Sequence, residues 1–130
     1  MKRRHIPGGD FDGFFVAYHA ETVENPIDPR ERVWVLPGDH YVITELSTFD
    51  GHAHFSSIRS VNKGAGHAST VLDRICALAD EYGVSISLAP VPFGNPRGRL
   101  NKTQLRAWYA RRGFKRLYGD ELVRPPKSAG

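Results

Sequence analysis

Apolar residues recur along the chain in two rhythms, and each change of rhythm marks an element. Val71, Leu72, Ile75, Cys76, Ala79 and Tyr82 fall three and four residues apart, while Asp73, Arg74, Asp80 and Glu81 lie off that stripe. This spacing lines one side of a helix and predicts one over residues 66–82. Gly83 stands where a helix C-terminus turns to positive φ, which glycine adopts without strain. Val84-Ser85-Ile86-Ser87-Leu88 then alternates with the period of a strand. Residues 41–47 and 53–61 read as two more strands. Thr48-Phe49-Asp50-Gly51 joins them, and Asp-Gly between β-rich runs signals a hairpin. Residues 32–36 are a short apolar strand closed by Pro37-Gly38.

Phe11, Phe14, Phe15, Tyr18 and Thr22 recur at helical spacing, with Asp10 or Asp12 placed to cap the start. A strand over 14–18 competes with that helix, and Pro26 and Pro29 end either one. Residues 90–98 form a loop rich in proline and glycine. Asn101 opens another helix with Gln104 as its capping-box partner. That helix carries Leu105, Trp108 and Tyr109, stops at Gly113, and leads to a final strand over 115–124. Hairpin, helix, strand, helix, strand predicts an α+β fold: a mixed, mainly antiparallel sheet with helices packed on it.

Composition narrows the class of protein. A chain of 130 residues, 40% hydrophobic and 25% charged, makes one globular domain over 1–130, with flexible ends near 1–9 and 125–130. No run approaches the roughly 20 apolar residues of a spanning helix, so no membrane partner is expected. Met1-Lys2-Arg3-Arg4 is basic but leads into no signal-peptide core. Cys76 is the lone cysteine, which excludes an internal disulfide framework and a cysteine-rich zinc site and suits a cytoplasmic location. Its place on the apolar stripe makes it a core residue rather than a nucleophile. The net charge of +4 favours an anionic partner, either nucleic acid or a phosphate-bearing cofactor.

The sharpest motif is Lys63-Gly64-Ala65-Gly66-His67-Ala68, set between a strand and the amphipathic helix. Its glycines permit a tight turn and close approach of a ligand, and the next helix presents unpaired N–H groups and a positive dipole end. No Lys-Ser/Thr pair follows, so it is not a P-loop. Ser69 replaces the third glycine of the dinucleotide fingerprint. A plain tight connection is the structural alternative. The second motif is Leu105-Arg106-Ala107-Trp108-Tyr109-Ala110-Arg111-Arg112-Gly113-Phe114. It resembles the aromatic-Tyr, three-residue, Gly-Phe signature of the GNAT superfamily of N-acetyltransferases. Lys63 to Ala68 then resembles that family's acetyl-CoA loop, (Gln/Arg)-x-x-Gly-x-(Gly/Ala), with Gly66 and Ala68 matching and Lys63 replacing the usual first residue. The resemblance spans about residues 40–124 and implies a GNAT-like fold with a trimmed N-terminal region, the part that often supplies acceptor-site residues.

The resemblance implies acetyl transfer from acetyl-CoA, the acetyl donor, to a primary amine by direct attack in a ternary complex. Tyr109 matches the family's general acid; a half-buried core tyrosine is the alternative. His52 and His54, two apart on a strand, share a face, and imidazoles titrate near neutrality, which suits a base. They resemble the paired histidines of arylalkylamine-type members; polar strand residues, a metal pair and Glu45 as the base are the alternatives. Ile58, Arg59 and Ser60 take positions whose backbone holds acetyl and pantetheine groups in the family. Lys63, Gly64, Ala65, Gly66, His67, Ala68 and Ser69 are the expected pyrophosphate contacts. Asn101 is either a CoA contact or a helix cap. Arg106, Arg111, Arg112, Lys115 and Arg116 form a basic run, read as a solvated face or as contacts to the CoA 3′-phosphate. The competing function is a non-catalytic GNAT-fold module that binds nucleic acid or regulates a partner. Hairpin edges leave room for a homodimer.

Overall fold

The computed structural model describes residues 9–49, 52–61, 66–89, 102–119 and 121–127, the side chains of Phe49, Lys102 and Tyr118 excepted. Its elements are α1 (Phe11–Ala20), β1 (Val23–Glu24), β2 (Arg32–Leu36), β3 (His40–Phe49), β4 (His52–Ser60), α2 (His67–Tyr82), β5 (Ile86–Leu88), α3 (Lys102–Ala110), β6 (Lys115–Tyr118) and β7 (Glu121–Arg124). The strands form one sheet in the order β1-β2-β3-β4-β5-β7-β6. Only the β4–β5 pair is parallel among the described residues. The helix α2 between those two strands is the crossover that a parallel pair needs.

Residues 11–20 are helix, not strand. Asp10 settles this locally: its carboxylate accepts from the Gly13 N–H at 2.9 Å, an N-cap. The apolar side of α1 then buries Phe14 and Tyr18. One strand is new, and two expectations need correction. A two-residue β1 pairs with β2 at Val23↔Val33 and Glu24↔Arg32. The strand expected over 115–124 is a hairpin of β6 and β7, because Gly119 takes a positive φ of 57° and turns the chain back. The helix α3 ends at Ala110, with a turn reaching Gly113 at φ 97°. Two backbone donors near the ends are engaged. Asp10 N–H donates to Tyr82 O at 2.8 Å, and Lys127 N–H donates to the Asp80 carboxylate at 2.8 Å.

Strand register sorts every side chain onto one of two faces. Trp34, Val42, Thr44, Leu46, Ala53, Phe55, Ile58, Ile86, Leu88, Leu122 and Arg124 share one face, and all are buried. The described helices cover this face. Tyr18 of α1 bonds Thr44 at 2.7 Å, and α2 buries Val71, Leu72, Ile75, Cys76, Leu78 and Ala79. Tyr109 of α3 packs edge-on against Phe55. The opposite face presents Val33, Val35, Tyr41, Ile43, Glu45, His52, His54, Ser57 and Val123, all half-buried or exposed. The described helices therefore line one side of the sheet, rather than flanking both.

Thr44 and Arg124, inside the covered face, are matched. Thr44 Oγ1 meets both the Tyr18 hydroxyl and Trp34 Nε1, which donates at 3.0 Å. Arg124, 3% exposed, makes two 2.9 Å bonds to the Asp80 carboxylate and donates to Arg112 O. An arginine so buried persists only because its fork of donors is satisfied.

Candidate active site

The parallel pairing of β4 with β5 covers Ala53↔Ile86 and His54↔Ser87 and then stops. The β4 strand runs on to Ser60 and β5 only to Leu88, so among the described residues the two strands part as a fork. Just past its apex the β3–β4 ladder slips: Glu45 faces Ser57, yet Leu46 faces Phe55, leaving Ser56 as an extra residue. Such a bulge bends a strand and re-aims its side chains. The Ser57 hydroxyl at this bend is buried without a hydrogen-bond partner.

His52 and His54 share a face, as their spacing predicts, but it is the open face. His54 Nδ1 lies 3.1 Å from Ser87 Oγ, a residue that sequence reasoning missed. Ser87 is 2% exposed. Period-two alternation marks it as one side of a strand, but nothing in the sequence tells which neighbour it meets. Glu45 is on the same open face, one pair beyond, and borders a cavity of about 300 Å³ together with His19, Arg30 and Ser47. Arg30 is tied to Asp28 at 3.0 Å.

Tyr109 is on the other side. Its ring lies among Phe55, Trp108 and Phe114, and it is 3% exposed. Burial pushes its phenol above the ordinary range, so it stays protonated at neutral pH. The tyrosine and the histidines thus approach β4 from opposite faces, through the adjacent residues Phe55 and His54. They do not form one cluster; they bracket the fork.

The described part of the glycine turn starts at Gly66. Gly66 has φ 73° and is the N-cap of α2, with no side-chain cap. A Cβ added there meets nothing within 4 Å. A helix N-terminus without a side-chain cap is what an anion cradle requires. Ser69 Oγ accepts from Trp108 Nε1 at 2.8 Å, joining the cradle to α3. The His67 ring stacks on His40 at 4.3 Å; His67 Nε2 and His40 Nδ1 are buried without hydrogen bonds. Ala68 packs against the core. Lys63, Gly64, Ala65 and Asn101 lie outside the described residues.

Of the β4 candidates, Ile58 is core, and Ser60 lies opposite Val42. The Arg59 side chain points away from the cradle side and is bound to Glu31 at 2.9 Å, a bond that raises the guanidinium pKa above its ordinary value. In the basic run, Arg112 is likewise engaged: it bonds Asp73 at 2.7 Å and covers the Trp108 ring. Cys76 is buried, and that burial pushes its thiol up to about 11, which leaves it no thiolate for catalysis. Among the described residues, no three His, Cys, Asp or Glu side chains gather as metal ligands. No helix among them is long and apolar enough to cross a membrane.

No family model matches the sequence, and no curated protein matches it. Among solved structures, the chain is similar to the anti-CRISPR protein AcrVA5, with a TM-score of 0.52 and 18% identity over 72% of this chain and 96% of that one. At that identity the likeness speaks for the fold. Seven strands in one mostly antiparallel sheet, three helices and this structural match make the chain an α+β protein of GNAT-like fold.

Proposed function

We propose that the protein is an acetyl-CoA-dependent N-acetyltransferase acting on a primary amine. The observation that carries this reading is the fork: among the described residues no strand pairs with the β5 side of β4 past His54↔Ser87, and β4 leads to a helix N-terminus at Gly66 with no side-chain cap. The residues present fit acetyl-CoA. The N–H groups of α2 suit the pyrophosphate, the β4 edge suits the amide-bearing pantetheine arm, and the orphaned Ser57 hydroxyl supplies a donor at the bend. The bound thioester supplies the activated acetyl group.

The chain's own residues then divide the proton work. His54, on the open face, takes a proton from the acceptor ammonium. Tyr109, on the covered face, donates its proton to the departing sulfur, and its raised pKa keeps that proton in place until it is needed. A group lying between parted strands is reachable from both faces, so the opposite placement serves the chemistry. Glu45 borders the nearby cavity, where its carboxylate favours a cationic acceptor.

Calorimetric titration of acetyl-CoA tests the reading, with CoA and ATP for comparison. Micromolar binding selective for the CoA compounds is expected. Gly66→Glu places a carboxylate in the cradle and should weaken binding at least a hundredfold. Gly66→Asn, which tolerates positive φ, should keep it within a few-fold. Equal binding by the Glu variant, or none by the folded wild type, overturns the assignment and turns attention to nucleic-acid binding.

A further inference from the structure

At the apex of the fork the structure holds a contact that the reading above does not use. Ser87 Oγ lies 3.1 Å from His54 Nδ1, at the last paired register of β4 and β5. Ser87 is 2% exposed, although its neighbours on that face are half-buried or exposed. The ladder fixes both Cα positions, and serine has one side-chain torsion before its oxygen. The contact is therefore held by backbone rather than by flexible reach.

A neutral imidazole carries its proton on one nitrogen or the other, and the partner of one nitrogen selects the state of its mate. We propose that Ser87 is a positioning residue: its hydroxyl oxygen accepts from His54 Nδ1–H, which puts the imidazole lone pair on Nε2. This rests on the fork being the acetyl-transfer site. In the step it serves, an N–H bond of the acceptor ammonium breaks and an Nε2–H bond forms. His54 becomes imidazolium with its Nδ1–H bond to Ser87 intact, and the amine keeps the electron pair that forms its bond to the acetyl carbon. The other titratable groups sharing this face are His52 and Arg59 on β4, Tyr41 and Glu45 on β3, Glu121 on β7 and Lys115 on β6; Ser47 and Val123, beside His54 and Ser87 in the ladder, add no charge.

The test is ¹⁵N NMR of the His54 imidazole in the full chain without ligand, for wild type, Ser87→Ala and Ser87→Thr. Wild type and the Thr variant should show the Nδ1–H tautomer. The Ala variant should move toward the Nε2–H form that free imidazole side chains prefer. Ser87→Cys, with a weaker acceptor of similar size, should shift the same way as Ala, which keeps the test open if the Ala variant fails to fold. In turnover, Ser87→Ala should lower kcat about tenfold and shift the acid limb of its pH profile, with KM for acetyl-CoA unchanged and Thr restoring the rate. An Nε2–H tautomer in wild type, or one that ignores Ser87, overturns the proposal. Absence of any acetyl transfer would instead sink the functional reading, while the tautomer result still decides the role of Ser87.

Discussion

The two faces of the sheet do different jobs with neighbouring residues. Phe55 is 3% exposed and packs on Tyr109; His54, one residue earlier, is half-buried beside Ser87. On the covered face Val42, Thr44, Leu46, Ala53, Phe55 and Ile58 are buried, and buried polar groups such as Thr44 and Arg124 are tied into bonds. On the open face the groups suited to chemistry stand among half-exposed neighbours. Strand alternation thus separates the residues that hold the fold from those that the proposed acetyl transfer would use. Tyr109 is the exception: it brings a proton donor into the covered layer.

Substitutions should expose this division, most strongly on the covered face. Asp80→Ala strips the 3%-exposed Arg124 of its carboxylate and should cost about 3 kcal/mol in urea unfolding. Alkaline pH attacks the same layer. Burial, ahead of the opposing bond from Thr44, pushes Tyr18 up to about 12 from 10.0. The folded chain therefore keeps a proton that the unfolded chain loses, so stability is full below pH 10 and falls as pH rises to 12. The loss should reach about 3 kcal/mol. Tyr18→Phe should flatten that stretch of a stability–pH curve.

Activity should part from stability at the fork. Tyr109→Phe and His54→Gln should each slow acetyl transfer about a hundredfold, with acetyl-CoA affinity within twofold of wild type. Glu45→Gln should keep most of the turnover. If Glu45→Gln is the variant that abolishes it, the base is the carboxylate. The His54 variant should unfold within about 0.5 kcal/mol of wild type. The smallest effect is expected at Val35, 56% exposed on the open face, where Val35→Ser should shift thermal unfolding by about 0.5 kcal/mol or less.

The elements legible in the sequence are those whose cause is local. The helix over 67–82 follows from its apolar stripe, and β2 matches residues 32–36 because Pro37-Gly38 closes it. The capped α1 needed the choice between Asp10 and Asp12, which only the 2.9 Å bond to Gly13 makes. The β6–β7 hairpin was hidden because Gly119 carries no turn partner as clear as Asp-Gly. The site was legible as a set of residues and not as a geometry. His52 and His54 were placed on one face, and Tyr109 on its helix, but whether they meet depends on sheet register and helix side, which are non-local. Ser87 was invisible for the same reason. The Arg59 ion pair was invisible too, because its partner Glu31 lies 28 positions away.

The unpaired Ser56 has a consequence beyond bending β4. Phe55 and Ile58 face the same way although one position is odd and the other even, because the strand skips half a pleat between them. The extra residue acts as a phase shifter for the segment between the bulge and the hairpin turn. Were Ser56 instead paired with Leu46 in a regular ladder, that segment would turn by half a repeat, driving His52 and His54 into the core and Phe55 into water. The pairing at this point, more than residue identity, decides on which side of the sheet the histidines stand.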